Sequence, residues 1–460
     1  MGNISKSLIR SWASLGPKFL PFADAATPEV PLPRLLRLSL FQVSVGMALV
    51  LLIGTLNRVL IVELKVPASI VSIMISIPLI FAPFRAVIGF RSDTHRSALG
   101  WKRVPYIWMG TLVQFGGFAM MPFALLVLSG AGHANEAPVW IGWFGAGISF
   151  LLVGAGLHTT QTVGLALAND LVPKESQPNA VGLMYVMLLL SMIGCALLFG
   201  ELLREFTPGR LIQVIQGAAL ATMVLNITAL WKQETRRPSR FETEPQKTMS
   251  FQEAWHLFTQ NTDSVRRLIA VGIGTMAFSM EDILLEPYGG EVLGLTVGQT
   301  TTLTATLAGG GLLGFGLASY VLNRGFDPFK MASLGAAVGI PAFLLVIFSG
   351  NLQMAELFAS GVFLIGFGGG LFGHGTLTAT MQNAPAEQCG LALGAWGAVQ
   401  ASAAGLAIAL GGIIRDVVAA KTSVLNGYVS VYAIEVVLLL ATIWAMYPLI
   451  MQRRKLQVIG

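Results

Sequence analysis

Charge is what this chain lacks most. Asp, Glu, Lys and Arg make up 11% of its 460 residues, less than half of the roughly 25% in an ordinary soluble domain. That deficit excludes a water-soluble enzyme. Cysteine is scarce too: Cys195 and Cys389 are the only two. Two thiols rule out a disulfide framework or a thiolate metal centre, and both are expected to serve as packing residues. The catalytic motifs of common enzymes are missing, with no Walker loop, no HExxH and no GxSxG. "GIGTMA" (272–277) imitates a dinucleotide turn but lies inside an apolar run with no strand before it. Neither ATP nor a nicotinamide cofactor is therefore expected, and no enzymatic activity.

Apolar sequence fills the space that charge leaves. Hydrophobic residues make up 54% of the chain and the mean hydropathy is +0.70. Apolar runs of about 20 residues recur throughout, the length needed to cross a bilayer as helix. Twelve spans are expected: 38–62, 69–90, 104–129, 139–168, 178–203, 210–231, 267–287, 299–323, 328–349, 353–383, 388–415 and 427–450. The fold class is thus an all-α polytopic membrane protein. Residues 1–37 are polar and broken by proline. They read as a cytoplasmic segment, lying along the membrane surface or forming a tail, and not as a cleavable signal peptide.

Orientation follows from basic residues. With both termini cytoplasmic, 22 of the 29 Lys and Arg fall on the cytoplasmic side. The net charge of +6 is then a topology signal, and no nucleic-acid partner is expected.

The chain divides into two halves, 38–231 and 267–450, joined by a cytoplasmic linker at 232–266 and followed by a tail at 451–460. "PFALLVLSG" (122–130) is echoed by "AFLLVIFSG" (342–350). "GAGLHTTQTVGLALANDLVPKE" (154–175) is echoed by "GGGLFGHGTLTATMQNAPAE" (368–387), each with one histidine, then an amide, then Pro-x-Glu. A parallel six-plus-six repeat places a central site between the halves. The loop "GFRSDTHRSALGWKR" (89–103) adds Gly89, Asp93, Arg96, Gly100, Lys102 and Arg103. It resembles the loop between spans 2 and 3 of the major facilitator superfamily, with a longer spacing after Asp93.

Longer strings carry a narrower resemblance. "LPRLLRLSLFQVSVGMALVLLIGTLNRVLIVEL" (32–64), "PFRAVIGFRSD" (83–93), "GWKRVPYIWMGTLVQFGG" (100–117) and "MEDILLEPYGGEVLG" (280–294) are similar to the PucC/LhaA family of photosynthetic bacteria. The resemblance implies a factor that assembles light-harvesting antenna complexes in the bacterial inner (intracytoplasmic) membrane. It also implies delivery of bacteriochlorophyll to antenna polypeptides. The partners it suggests are those polypeptides, the pigment or its synthase, and membrane lipid. A proton-coupled carrier of a small solute and a ligand-free scaffold are the competing readings.

Two residue groups are candidates for chemistry. Glu281, Asp282 and Glu286 sit in an apolar run, where an intramembrane acid costs about 2.5–3.5 kcal/mol and needs a partner or a cavity. The Pro287-Tyr288-Gly289-Gly290 sequence is expected to end or bend the helix, taking Glu286 to the outer interface and leaving Glu281 and Asp282 deeper. Arg58, in the repeat-equivalent span, is the expected counter-charge to Asp282 or Glu281, either as an ion pair fixing the halves or as part of a proton or ligand site. The second group is His158 and His374, in matching spans and flanked by glycines. Given the family resemblance, either imidazole is a candidate axial ligand for a pigment magnesium, or else a hydrogen-bonded bundle residue. Gln161 and Asn383 are the alternatives, holding a water for the same purpose.

Overall fold

The computed structural model describes residues 26–27, 30–80, 88, 92, 101–130, 134, 136–173, 176–234, 262–383 and 389–459. Helices account for nearly all of them. In chain order they are α1 (Leu32–Glu63), α2 (Ala68–Ile80), α3 (Val104–Ser129), α4 (Val139–Leu171), α5 (Gln177–Leu202) and α6 (Pro208–Leu230). The second half contributes α7 (Thr262–Ala277), α8 (Leu285–Glu291), α9 (Val297–Leu322), α10 (Pro328–Leu352), α11 (Ala355–Asn383), α12 (Cys389–Lys421) and α13 (Val424–Ile459). α7 and α8 together make one broken span. Among the described residues eleven spans are long and apolar enough to cross a membrane, and α2 is a shorter apolar helix at the second expected position. Its continuation at 81–87 lies outside the described residues.

Local chemistry sets the helix starts. The Thr207 hydroxyl accepts from the Arg210 amide at 3.1 Å, Thr296 and Gln299 form a capping box, and Asp327 accepts from the Phe329 and Lys330 amides. Two helices are capped from a distance. Glu234 accepts from the amides of Lys102, Arg103 and Val104 at the start of α3. The Asp416 carboxylate, on α12, accepts from the Ser69 amide at 2.7 Å and so caps α2.

The two halves meet along α2 with α12 and α5 with α9, while α1 packs on α8 and α9. "Outer" here denotes the end that the basic-residue count places outside. At that end the backbones approach closely: a Cβ on Gly298 would sit 2.6 Å from the Gly200 carbonyl oxygen and 3.0 Å from Arg204 Cα, so only glycine fits. The span of α1 is buried over 83% of its most apolar window and the broken span of α7 and α8 over 61%, against 33–44% in the other nine. These two spans therefore run nearest the bundle axis. The remaining helices turn large apolar side chains outward, including Phe123 and Trp444, as lipid contact requires.

Two departures from regular helix mark the central spans. α1 widens into π-helical turns at Val50–Leu56 and Val59–Glu63, a geometry common at functional sites. The break between α7 and α8 falls at residues 278–284, ahead of Pro287 and not after it as expected. The reason is the proline's position. Pro287 lies in the first turn of α8, where no intrahelical donor is required, and its missing N–H would have bonded the carbonyl four residues back. That carbonyl, of Ile283, accepts instead from Asn57 Nδ2 on α1 at 3.1 Å.

Candidate functional site

Arg58 is buried on α1 at 4% exposure, but it does not meet the expected partners. Its guanidinium pairs with Glu63 and donates from Nη2 to the Leu295 carbonyl at 3.0 Å. The π-helical register of Val59–Glu63 explains the difference, because it stacks residue 63 over residue 58. Equal depth in the repeat put Arg58 beside Asp282; the side chain instead runs toward the outer end. Gly290 leaves room for it: a Cβ there would lie 2.9 Å from Nη2.

The acids gather without that arginine. Glu281 and Glu286 are buried at 2% and 3% exposure, joined by Glu435 of α13 at 0%. The Glu435 carboxylate accepts from the Glu281 amide at 2.8 Å. Glu286 accepts from the Thr304 hydroxyl of α9 at 2.9 Å. Glu286 was expected at the outer interface. Because the break precedes it, Glu286 falls on the first turn of α8 and faces the core. Asp282 is half-buried at the break.

A second cluster closes the outer end. Arg415 of α12 bonds Glu291 of α8 and Asp416, the latter at 2.9 Å, and its guanidinium lies over the Tyr428 ring of α13 at 4.7 Å from the centroid. The Tyr428 hydroxyl donates to Glu291 at 2.9 Å. Sequence reasoning missed this cluster and Glu435. Its signals were the lone acid in "VYAIEVVLLL" and the Arg-Asp pair in "GGIIRDVV".

His158 is half-buried on α4, and its Nδ1 is sealed with no hydrogen-bond partner. His374 is half-buried on α11, its ring edge-on to Phe315 with centroids 4.3 Å apart. Gln161 is half-buried one turn from His158; Asn383 ends α11, and its side chain lies outside the described residues. Of the loop residues, Gly89, Asp93, Arg96 and Gly100 also lie outside. The Lys102 and Arg103 amides bind Glu234, and the Arg103 side chain bonds Asp170 at 3.0 Å and Ser92 at 2.6 Å. An apolar groove of about 470 Å³ opens between α7 and α13, lined by Val265, Arg266, Ile269, Ile273 and Trp444 among others. Neither histidine lines it.

The structure thus sets a buried acidic break in one central span against the other central span, α1. The sequence profile of the PUCC protein family matches residues 55–454. The chain belongs to the PucC family. It is 62% identical over 430 residues to the Protein PucC of Rhodovulum sulfidophilum, covering 93% of this chain and 94% of that one. It is 57% identical over 456 residues to the Protein PucC of Cereibacter sphaeroides, covering 98% of each. Among solved structures, a bacterial homolog of the human lysosomal transporter Spinster, inward-facing and unoccupied, superposes with a TM-score of 0.62. That match covers 90% of this chain and 94% of the other at 15% identity, so it speaks for the fold alone. The fold of this PucC-family chain is the two-half transporter fold of the major facilitator type.

Proposed function

We propose that this PucC-family chain is a non-enzymatic assembly factor for light-harvesting antenna complexes of the bacterial inner membrane, with both termini cytoplasmic. It carries bacteriochlorophyll as its substrate to the antenna polypeptides. The observation that carries this reading is the family match across residues 55–454, which runs from the end of α1 into α13. The half-buried imidazoles support the pigment step. His158 is not tied to a hydrogen-bond partner at Nδ1. Burial of an apolar macrocycle supplies most of the affinity, so one ligand change weakens binding without abolishing it.

The test is an absorption spectrum of the protein purified gently from pigment-making membranes. A pigment band that weakens in His158→Leu or His374→Leu, at normal protein level, is expected. Full pigment with an unshifted long-wavelength band in both variants and in the double variant would remove histidine ligation. A colourless wild-type protein would remove pigment carriage and leave a scaffold or a small-solute carrier.

A further inference from the structure

The break between α7 and α8 places three carboxyl groups in the membrane interior with too few donors. Each leaves one oxygen sealed and without a partner: Oε2 of Glu281, of Glu286 and of Glu435. A second, separate observation points into the same space. Tyr432, one turn from Glu435 on α13, is fully buried, and its hydroxyl has no hydrogen-bond partner. Its ring stands edge-on to Tyr288 of α8, with centroids 5.5 Å apart, so it bridges α13 and the helix that follows the break. Four unpartnered oxygen functions around an unwound stretch of helix is how carriers build cation sites.

Among the described residues no buried arginine is free to answer them. Among the described residues the buried arginines are Arg58, Arg103 and Arg415. Arg58 is held by Glu63, Arg103 by Asp170, and Arg415 by Glu291 and Asp416. Asp282 at the break, Tyr288 on α8 and Tyr428 on α13 stand nearby and are not cationic, and the arginines of α7, Arg266 and Arg267, lie at its start, more than ten residues before the break. Uncompensated charges in a low-dielectric interior are prohibitive, so such groups hold a proton or a metal ion. Asp282, half-buried at the same break, adds a fourth carboxyl there.

We propose that Glu281, Glu286 and Glu435, with the Tyr432 hydroxyl, form an exchangeable monovalent-cation site at the break between α7 and α8. The cation is a proton or a sodium ion, bound by the same oxygen set. The site ties the second half of the bundle to an ion gradient, whatever cargo the protein moves.

The test uses the full chain in lipid nanodiscs and infrared difference spectra of the protonated-carboxyl C=O band. One arm raises pH in potassium buffer; the other replaces potassium by sodium at fixed pH. Bleaching in the first arm alone identifies a proton, and bleaching in both a sodium ion that displaces it. Glu435→Gln, which is isosteric and neutral, should lose its share of the response, and the Glu281→Gln/Glu286→Gln/Glu435→Gln variant nearly all of it. A wild-type band unmoved in both arms overturns the proposal, and does so whether or not the variants fold. An undiminished response in Glu435→Gln overturns it as well. Neither readout involves pigment or antenna.

Discussion

Replacing Arg415 by methionine tests the outer cluster. The guanidinium is 10% exposed, and Glu291 and Asp416 beside it are 16% and 21% exposed. Removing one partner of a buried ion pair costs about 3–5 kcal/mol, because the remaining charge is stranded. Here the stranded acids keep one donor each. Glu291 retains the Tyr428 hydroxyl at 2.9 Å and Asp416 retains the Ser69 amide at 2.7 Å. The loss should therefore sit at the low end, about 3 kcal/mol. Unfolding by denaturant in mixed micelles, followed by tryptophan fluorescence, measures it. The double variant Arg415→Met/Glu291→Gln should recover at least about 1 kcal/mol of that loss, since the amide removes the stranded charge and still accepts from Tyr428. A loss within about 0.5 kcal/mol for Arg415→Met, the range of an ordinary surface change, would show that the cluster does not hold α8, α12 and α13 together.

Asn57→Ala should cost about 1–3 kcal/mol, because it orphans the Ile283 carbonyl that Pro287 already leaves without a helical donor; the same unfolding assay checks it. Gly366→Ala should cost about 1–3 kcal/mol as overpacking, since a Cβ there meets the Leu307 carbonyl and lies 3.0 Å from the Gly311 amide nitrogen; unchanged stability would mean that α9 and α11 separate freely. Cysteines placed at positions 4 and 457, in a chain freed of Cys195 and Cys389, should react only from the cytoplasmic side. Labelling of either from outside intact cells would reverse the topology.

The fold was legible because hydrocarbon thickness imposes one simple demand, about 20 apolar residues per span. Repeat-matched strings such as "PFALLVLSG" and "AFLLVIFSG" exposed the two halves. The candidate site was legible only in part. Glu281, Asp282 and Glu286 stood out by their cost in an apolar run, and the structure buries two of them, Glu281 and Glu286, in the core. Their partners were not visible. Arg58 chose Glu63 through a π-helical register that apolar composition does not encode. Glu435 lies 154 residues from Glu281, a separation that only tertiary packing closes. The break moved ahead of Pro287 because the carbonyl that proline orphans found Asn57 on another helix.

The most direct test of the central claim is the near-infrared absorbance of membranes from a photosynthetic bacterium that lacks this chain, compared with the same strain after the gene is restored. The account predicts that antenna absorbance falls without the chain and returns with it, while other membrane proteins stay at their usual levels. Antenna absorbance that is equal in both strains would contradict it.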